Sequence, residues 1–308
     1  MKKKLGQYFT PPSMVKFMVQ LAKLDSQSSI LEPSCGDGAF LKDLTKQGFH
    51  NITAYEIDPC LAQLHPKVQC ASFVSANITE RFDLVIGNPP YIRWKHLDDS
   101  LKTELIEHPL WQQHCNKLCD YLHIFILRSI ELLKIDGQLI FICPEYWMNT
   151  THSQGLRDYM LQHGHFERIY QFQETPIFSD ANVACVVFKY VKQTSHYPSS
   201  IPIWKYEHNR RLNAADLQGL NRPPDFHCSA FEIEKNWLIA PQETVAQLQA
   251  FEQVCTPEKR MNQYVSLGEV CDIANGMVSG LDKAFQWLED KEELTPLEQD
   301  HLLQVVKA

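Results

Sequence analysis

The sequence predicts an α/β fold with a mostly parallel central sheet and helices on both faces. Three observations predict it. Short apolar runs alternate with helical patterns over the first two-thirds of the chain, as in consecutive βα units. A turn with two glycines stands between the first apolar run and the next helical pattern, and an Asn-Pro-Pro turn ends a later run. The chain also has material for a large core, with 308 residues of which 44% are hydrophobic and 21% charged. That composition excludes a disordered, collagen-like or small disulfide-stapled protein.

Taken in order, Thr10 before Pro11 predicts a helix N-cap with proline in the first turn. The helix runs to about Leu24, with Val15, Met18, Val19 and Ala22 on one face. Residues 29–32 read as a short strand and 38–47 as a helix closed by Gly48. Residues 52–57 and 82–86 read as further strands, the latter ending at Gly87. Residues 120–133 form a strongly apolar helix closed by Asp136-Gly137. A strand over 138–143, a helix over 153–162 and strands near 168–172 and 183–190 follow. The pattern changes after Val191. Residues 192–202, rich in Ser, Thr and Pro, read as a loop. Pro223-Pro224 marks another irregular stretch, and residues 240–257 read as a helix connecting two domains. A new unit starts near Tyr264. The expected division is a main domain over 1–240, a linker helix over 241–263, and the opening of a second domain over 264–308. Truncation of a longer domain is favoured over a small appendage.

The basic N-terminus has no apolar stretch behind it, so it is not a secretory signal, and no run reaches the ~18–20 apolar residues of a membrane span. Ten cysteines without metal spacing suggest a reducing cytoplasm. Cys115 and Cys119, near His114 and His123, come closest to a zinc pair and are spaced to share one helix face; reduced thiols are the plainer reading, and no metal is expected. The net charge of −8 does not resemble a nucleic-acid binder, but residues 289–300 carry six acids and one lysine, which leaves the rest nearly balanced.

Two loops carry chemistry. Leu31-Glu-Pro-Ser-Cys-Gly-Asp-Gly-Ala-Phe40 lets a ligand approach the backbone closely at Gly36 and Gly38. It lacks the dinucleotide pattern, and its acids would repel a pyrophosphate. Glu32 and Asp37 suit a positive group, such as the α-ammonium of an amino acid. Glu56 ends the second strand 24 residues after Glu32, where an acid accepts from two ribose hydroxyls. Ribose plus an ammonium describes S-adenosylmethionine; a structural turn with incidental acids is the plain alternative.

Asp83-Leu-Val-Ile-Gly-Asn-Pro-Pro-Tyr91 is the second loop, its Asn 56 residues after Glu32. An apolar strand delivers Asn88 to the carboxyl end of the sheet, where ligands bind in such folds. The prolines fix the backbone and remove two N–H donors. Asn88 offers a side-chain carbonyl, Pro89 a backbone carbonyl and Tyr91 a flat ring, a set suited to an exocyclic amino group on a planar ring. Two acceptors hold both amino hydrogens and aim the nitrogen lone pair at a methyl donor.

In these motifs the sequence resembles the gamma class of N6-adenine DNA methyltransferases of restriction-modification systems. The resemblance covers residues 5–190 in order, from Gly6-Gln-Tyr-Phe-Thr-Pro-Pro12 through the glycine loop and Glu56-Ile-Asp58 to Asn88–Tyr91. It implies a Rossmann-like S-adenosylmethionine-dependent methyltransferase fold. The backbone around Tyr8 and Thr10 would line the methionine end of the cofactor, with Glu32, Ser34, Gly36 and Asp37 nearby and Asn88 at the boundary. Glu56 would hold the ribose, Ile57 the cofactor adenine, and Phe73 would form an apolar wall. Ser72 departs from the family, which has an acid there; a neutral hydroxyl accepts less strongly. Asn88, Pro89 and Tyr91 would form the catalytic loop, and Phe178 would stack on the target adenine from the face opposite Tyr91. Phe125, where the family places a residue near the cofactor, reads equally as core. Arg93 and Trp94 follow the catalytic loop, where Trp94 reads either as a DNA contact or as a loop anchor.

Residues 267–285 resemble the opening of the family's target-recognition domain. The resemblance implies methyl transfer to the N6 of a flipped-out adenine in double-stranded DNA, yielding S-adenosylhomocysteine, with any restriction endonuclease on a separate chain or beyond residue 308. Two other readings stay open: methylation of ribosomal RNA bases or protein glutamine side chains, and a DNA-binding subunit that has lost catalysis.

Overall fold

A computed structural model describes residues 7–178, 183–193, 195 and 198–254. The chain divides into two units, Met1–Gln249 and Ala250–Ala308. The expected second domain from residue 264 lies outside the described residues.

The elements in chain order are α1 (Pro12–Leu21), β1 (Ile30–Glu32), α2 (Ala39–Lys46), β2 (Ile52–Glu56), α3 (Pro59–Ala62), β3 (Val68–Cys70), β4 (Phe82–Gly87), α4 (Asp99–Glu107), α5 (Pro109–His114), α6 (Tyr121–Leu132), β5 (Leu133–Pro144), α7 (Gln154–His163), β6 (Gly164–Gln173), β7 (Cys185–Lys192), β8 (Ser200–Lys205), α8 (Ala214–Gly219), β9 (Phe226–Ser229) and α9 (Gln242–Val254). The strands form one sheet in the order β3-β2-β1-β4-β5-β7-β6-β8-β9. Its first five strands are parallel. β7 runs antiparallel between β5 and β6, and β8 returns parallel to β6.

Both faces of the sheet are covered, which is why β1, β4 and the second half of β5 read as continuous apolar runs. One core layer joins α1, α2 and α8 to Ile30, Leu84, Ile86 and Ile140. The other joins α4–α7 to Leu31, Val85, Leu139 and Phe141. Burying Leu122, Ile124, Ile126, Leu127 and Ile130 makes α6 the centre of that second layer. Each such side chain contributes roughly 1.5–3 kcal/mol relative to exposure.

Several local expectations change. The N-cap of α1 is Pro11, not Thr10, and the helix stops at Leu21. β5 begins at Leu133, with Asp136 at φ 63° inside it, so the expected helix stop at Asp136-Gly137 lies within a strand. β8 starts at Ser200, inside the expected loop.

Cys115 and Cys119 share no helix face: Cys115 is the C-cap of α5, and Cys119 lies in the turn before α6. The Cys119 thiol donates to the His152 carbonyl at 3.1 Å. His123 is fully buried, and burial pushes its imidazole down to about 3. It is therefore neutral, its Nδ1 accepting from the Asp120 N–H at 3.2 Å and its Nε2 lying 2.8 Å from the Ser153 hydroxyl. It caps α6 and joins it to the start of α7. All the described cysteines are free thiols, and no cluster of three or more His, Cys, Asp or Glu among the described residues is placed to hold a metal. No described helix is long and apolar enough to cross a membrane.

Candidate active site

Strand order reverses between β1, which leads outward to β2 and β3, and β4, which leads the other way. The loops leaving the carboxyl ends of β1 and β4 therefore diverge and open a crevice. A cavity of about 780 Å³, counting its open mouth, occupies it. Every residue expected at the cofactor lines this cavity: Tyr8, Thr10, Glu32, Ser34, Gly36, Asp37, Glu56, Ile57, Ser72, Phe73 and Asn88.

The glycine loop is held by β2. Cys35 N–H donates to the Tyr55 carbonyl of β2 at 2.9 Å. Gly36 N–H donates to the Glu56 carboxylate at 2.8 Å. Gly36 and Gly38 take φ of 54° and 73°, a left-handed turn that other residues enter only with strain. The other Glu56 oxygen accepts from Asp58 N–H at 2.9 Å, so the carboxylate is oriented by backbone donors and keeps lone pairs for a ligand.

Glu32 differs. It is fully buried, and neither carboxylate oxygen has a hydrogen-bond partner of ordinary geometry. Burial raises its pKa well above the usual carboxylate range; the nearby Leu41 backbone offsets only part of this, and the Asp37 and Glu56 charges add to it. Burial also raises Glu56. A buried, unpartnered carboxylate beside two other acids is costly unless a cation arrives.

Asn88 stands at the end of β4. Its Nδ2 donates to the Tyr8 carbonyl at 2.7 Å and to Thr10 Oγ1 at 3.1 Å, pinning the segment before α1 across the cavity. This explains Thr10: its hydroxyl serves the amide rather than the helix end. Ser34 Oγ donates to the Asn88 backbone carbonyl at 3.3 Å, tying the two loops together. The Tyr91 hydroxyl lies within reach of two acceptors, Asn88 Oδ1 and the Ile142 carbonyl, the latter at 2.8 Å. Burial holds Tyr91 protonated, so its one proton is shared between them. The Pro89 carbonyl accepts no hydrogen bond from any described residue.

Pro89, Tyr91 and Phe178 do not line the cofactor cavity. Tyr91 and Phe178 instead lie against the Tyr8 ring, each with its centroid 5.6 Å away. Trp94 stacks on Trp111 at 5.6 Å and so anchors the loop. Phe125 belongs to the cavity, packing at 5.1 Å on Phe73, as do Gln7, Phe40 and Tyr121. The apolar pattern of α6 conceals which of its rings meets a ligand. The Ser72 hydroxyl accepts from Val74 N–H at 3.2 Å and faces the cavity without a charge.

This sheet order, with its glycine turn and a crevice at the β1/β4 reversal, defines a class: the fold is that of the S-adenosylmethionine-dependent methyltransferases. A methyltransferase subunit of a type I restriction-modification system from Streptococcus thermophilus superposes with a TM-score of 0.57 at 16% identity, over 70% of this chain and 52% of that one. A Listeria monocytogenes protein assigned to the class I S-adenosylmethionine-dependent methyltransferases gives 0.53 at 18% identity, over 64% and 65%. The family model of the Eco57I restriction-modification methylase matches residues 17–178, and the chain belongs to that family. Among curated proteins it is 39% identical over 290 residues to the Type II methyltransferase M.HindII of Haemophilus influenzae, covering 92% of this chain and 55% of that protein. It is 37% identical over 282 residues to M.HincII of the same species, covering 92% and 54%. The chain thus spans about half the length of these relatives.

Proposed function

We propose that the chain transfers a methyl group from S-adenosylmethionine to the N6 amino group of an adenine flipped out of double-stranded DNA. It would act in the cytoplasm as the modification component of a restriction-modification system, with any endonuclease on a separate chain or beyond residue 308. The observation that carries the reading is the pair of acceptors at the end of β4: the Asn88 amide oxygen, which Tyr91 orients, and the Pro89 carbonyl, which has no partner among the described residues.

The residues fit the cofactor. Glu32 is an orphaned buried carboxylate that a cation would satisfy, with Asp37 adding negative charge beside it. Glu56 is oriented to accept from ribose hydroxyls. Phe73, Phe125 and Ile57 offer apolar surface to an adenine ring. When bound, this cofactor supplies an electrophilic methyl group on a positively charged sulfur.

The chain's own residues do the rest. Asn88 Oδ1 and the Pro89 carbonyl accept one amino hydrogen each, which draws the nitrogen lone pair out of ring conjugation. Tyr91 stacks on the base and fixes the amide through its hydroxyl. Phe178 closes the opposite face, and stacking on both offsets part of the few kcal/mol that flipping costs. No strong base is required, because the amino proton becomes acidic only once the new N–C bond has formed.

Incubation with unmethylated duplex DNA and tritiated S-adenosylmethionine, followed by digestion to nucleosides, tests this. Label is expected in N6-methyldeoxyadenosine. Label found instead in ribosomal RNA bases or in a glutamine side chain of a release factor, offered in parallel, would assign the other chemistry.

A further inference from the structure

The Tyr8 ring contacts two others, those of Tyr91 and Phe178. Its centroid lies 5.6 Å from each, inclined 24° to Tyr91 and 41° to Phe178. Those two rings are held by the fold. The Tyr91 hydroxyl is tied to Asn88 Oδ1 and the Ile142 carbonyl, and Phe178 is buried in the core layer that holds Ile177 and Val187. The Tyr8 ring is held differently. Tyr8 is tethered through its backbone, whose carbonyl accepts from Asn88 Nδ2 at 2.7 Å, while its hydroxyl makes no hydrogen bond with any described residue. Its ring can turn about χ1 without breaking that tether.

We propose that the Tyr8 side chain occupies the stacking slot of the substrate purine, and that the incoming base displaces it. The inference rests on the adenine reading and adds to it a residue that holds the slot before substrate arrives. Two aromatic faces beside a polar amide make a poor empty cavity, since the lining would lose its contacts. A tyrosine ring fills the gap, and a purine offers the same flat surface in exchange. The same amide grips the Tyr8 carbonyl through Nδ2 and presents Oδ1 to the base. Displacement of the ring thus occurs beside the group that receives the amino hydrogens, while the Tyr8 backbone stays tethered at the cofactor cavity.

The test uses the fluorescent nucleoside 2-aminopurine deoxyriboside, with saturating S-adenosylhomocysteine to keep it out of the cofactor cavity. Its quenching by stacking is titrated in the wild-type chain, Tyr8→Ala and Tyr8→Phe. Removing the competing ring should tighten nucleoside binding about tenfold in Tyr8→Ala, from the strength of such stacked pairs. Tyr8→Phe, which keeps a ring, should match the wild type within about twofold. Because Tyr8 also lines the cofactor cavity, each protein is first saturated with S-adenosylhomocysteine according to its own Kd. Equal or weaker nucleoside binding by Tyr8→Ala under that saturation would overturn the displacement. Absence of quenching in all three proteins would remove the purine pocket itself, and with it the adenine reading.

Discussion

The side-chain amide of Asn88 donates to the backbone carbonyl of Tyr8 at 2.7 Å across 80 positions of sequence. One residue thereby couples the loop after β4 to the segment that walls the cofactor cavity. Its other end, Oδ1, is set by the Tyr91 hydroxyl. The arrangement separates two tasks that the sequence motif merges: Nδ2 holds the wall, and Oδ1 is left for the proposed acceptance from the base.

Tyr91→Phe keeps the ring and removes the hydroxyl that orients Asn88 Oδ1. One neutral hydrogen bond is worth roughly 0.5–1.5 kcal/mol, so turnover should fall about two- to tenfold. The cofactor Kd should not move, because Tyr91 lies outside that cavity. Tyr91→Ala removes the stacking face as well and should cost at least a further tenfold. Steady-state kinetics with DNA and equilibrium cofactor titration read the two effects separately.

Glu32 sets a stability cost against binding. Its pKa in the folded chain is raised, chiefly by burial. The unfolded chain therefore releases this proton first, and stability contributed by Glu32 falls as pH rises from the ordinary carboxylate range towards the folded value. Glu32→Gln removes that slope and should raise the Tm of the free protein at neutral pH by roughly 2–4 °C. It should also weaken S-adenosylmethionine binding about tenfold or more. In the wild type, affinity should rise with pH through the raised pKa and level off above it. Binding below that value should release a proton, measurable by calorimetry in buffers of different ionisation enthalpy. A variant that binds normally and shows no proton release would place the cation elsewhere.

Gly38 is closed to side chains twice over. Its φ is 73°, and an added Cβ would lie 2.3 Å from His65 Nε2, which is hydrogen-bonded to the Asp37 carbonyl at 2.9 Å. Gly38→Ala should destabilise by about 1–3 kcal/mol, from left-handed strain and loss of the His65 contact. Denaturant unfolding checks the loss. Adding His65→Ala should recover part of it by making room, but not the part owed to φ.

Arg157 is a buried clamp, only 1% exposed. Its guanidinium donates to the carbonyls of Trp147, Thr150 and Lys235 and to Asn236 Oδ1. Arg157→Ala leaves several of these acceptors unpaired and should cost about 2–3 kcal/mol, lowering Tm by roughly 5–10 °C. Native-state hydrogen exchange should show the loss first around Trp237, whose N–H bonds the Met148 carbonyl.

What could be read from the sequence follows how local each signal is. The strands before the glycine loop and before Asn88 are short apolar runs ended by turn residues, and they appear where expected. The eleven expected residues meet at one cavity because the parallel sheet brings the loops after β1, β2, β3 and β4 to one end, and the Asn88 amide holds the Tyr8–Thr10 segment against them. β8 was hidden because Pro202 stands inside it and demotes the segment on local grounds; its pairing with β6 and β9 comes from tertiary packing. The reach of β5 back to Leu133 depends on an irregular register against β4 near Phe82, which periodicity does not reveal. Thr10 before Pro11 looks like a cap, and only a partner 78 residues away shows otherwise. Phe125 and the Tyr8 ring were obscured for the same reason: nothing local marks which aromatic faces a cavity and which faces core.

The most direct test replaces Asn88 with alanine and measures N6-methyladenine in DNA from cells expressing the variant, together with the S-adenosylmethionine Kd of the purified protein. No methylation above background is expected, with cofactor affinity within about fivefold of wild type. Adenine methylation persisting at the wild-type level would contradict the role of Asn88, because the amino group would then be positioned by some other pair of acceptors.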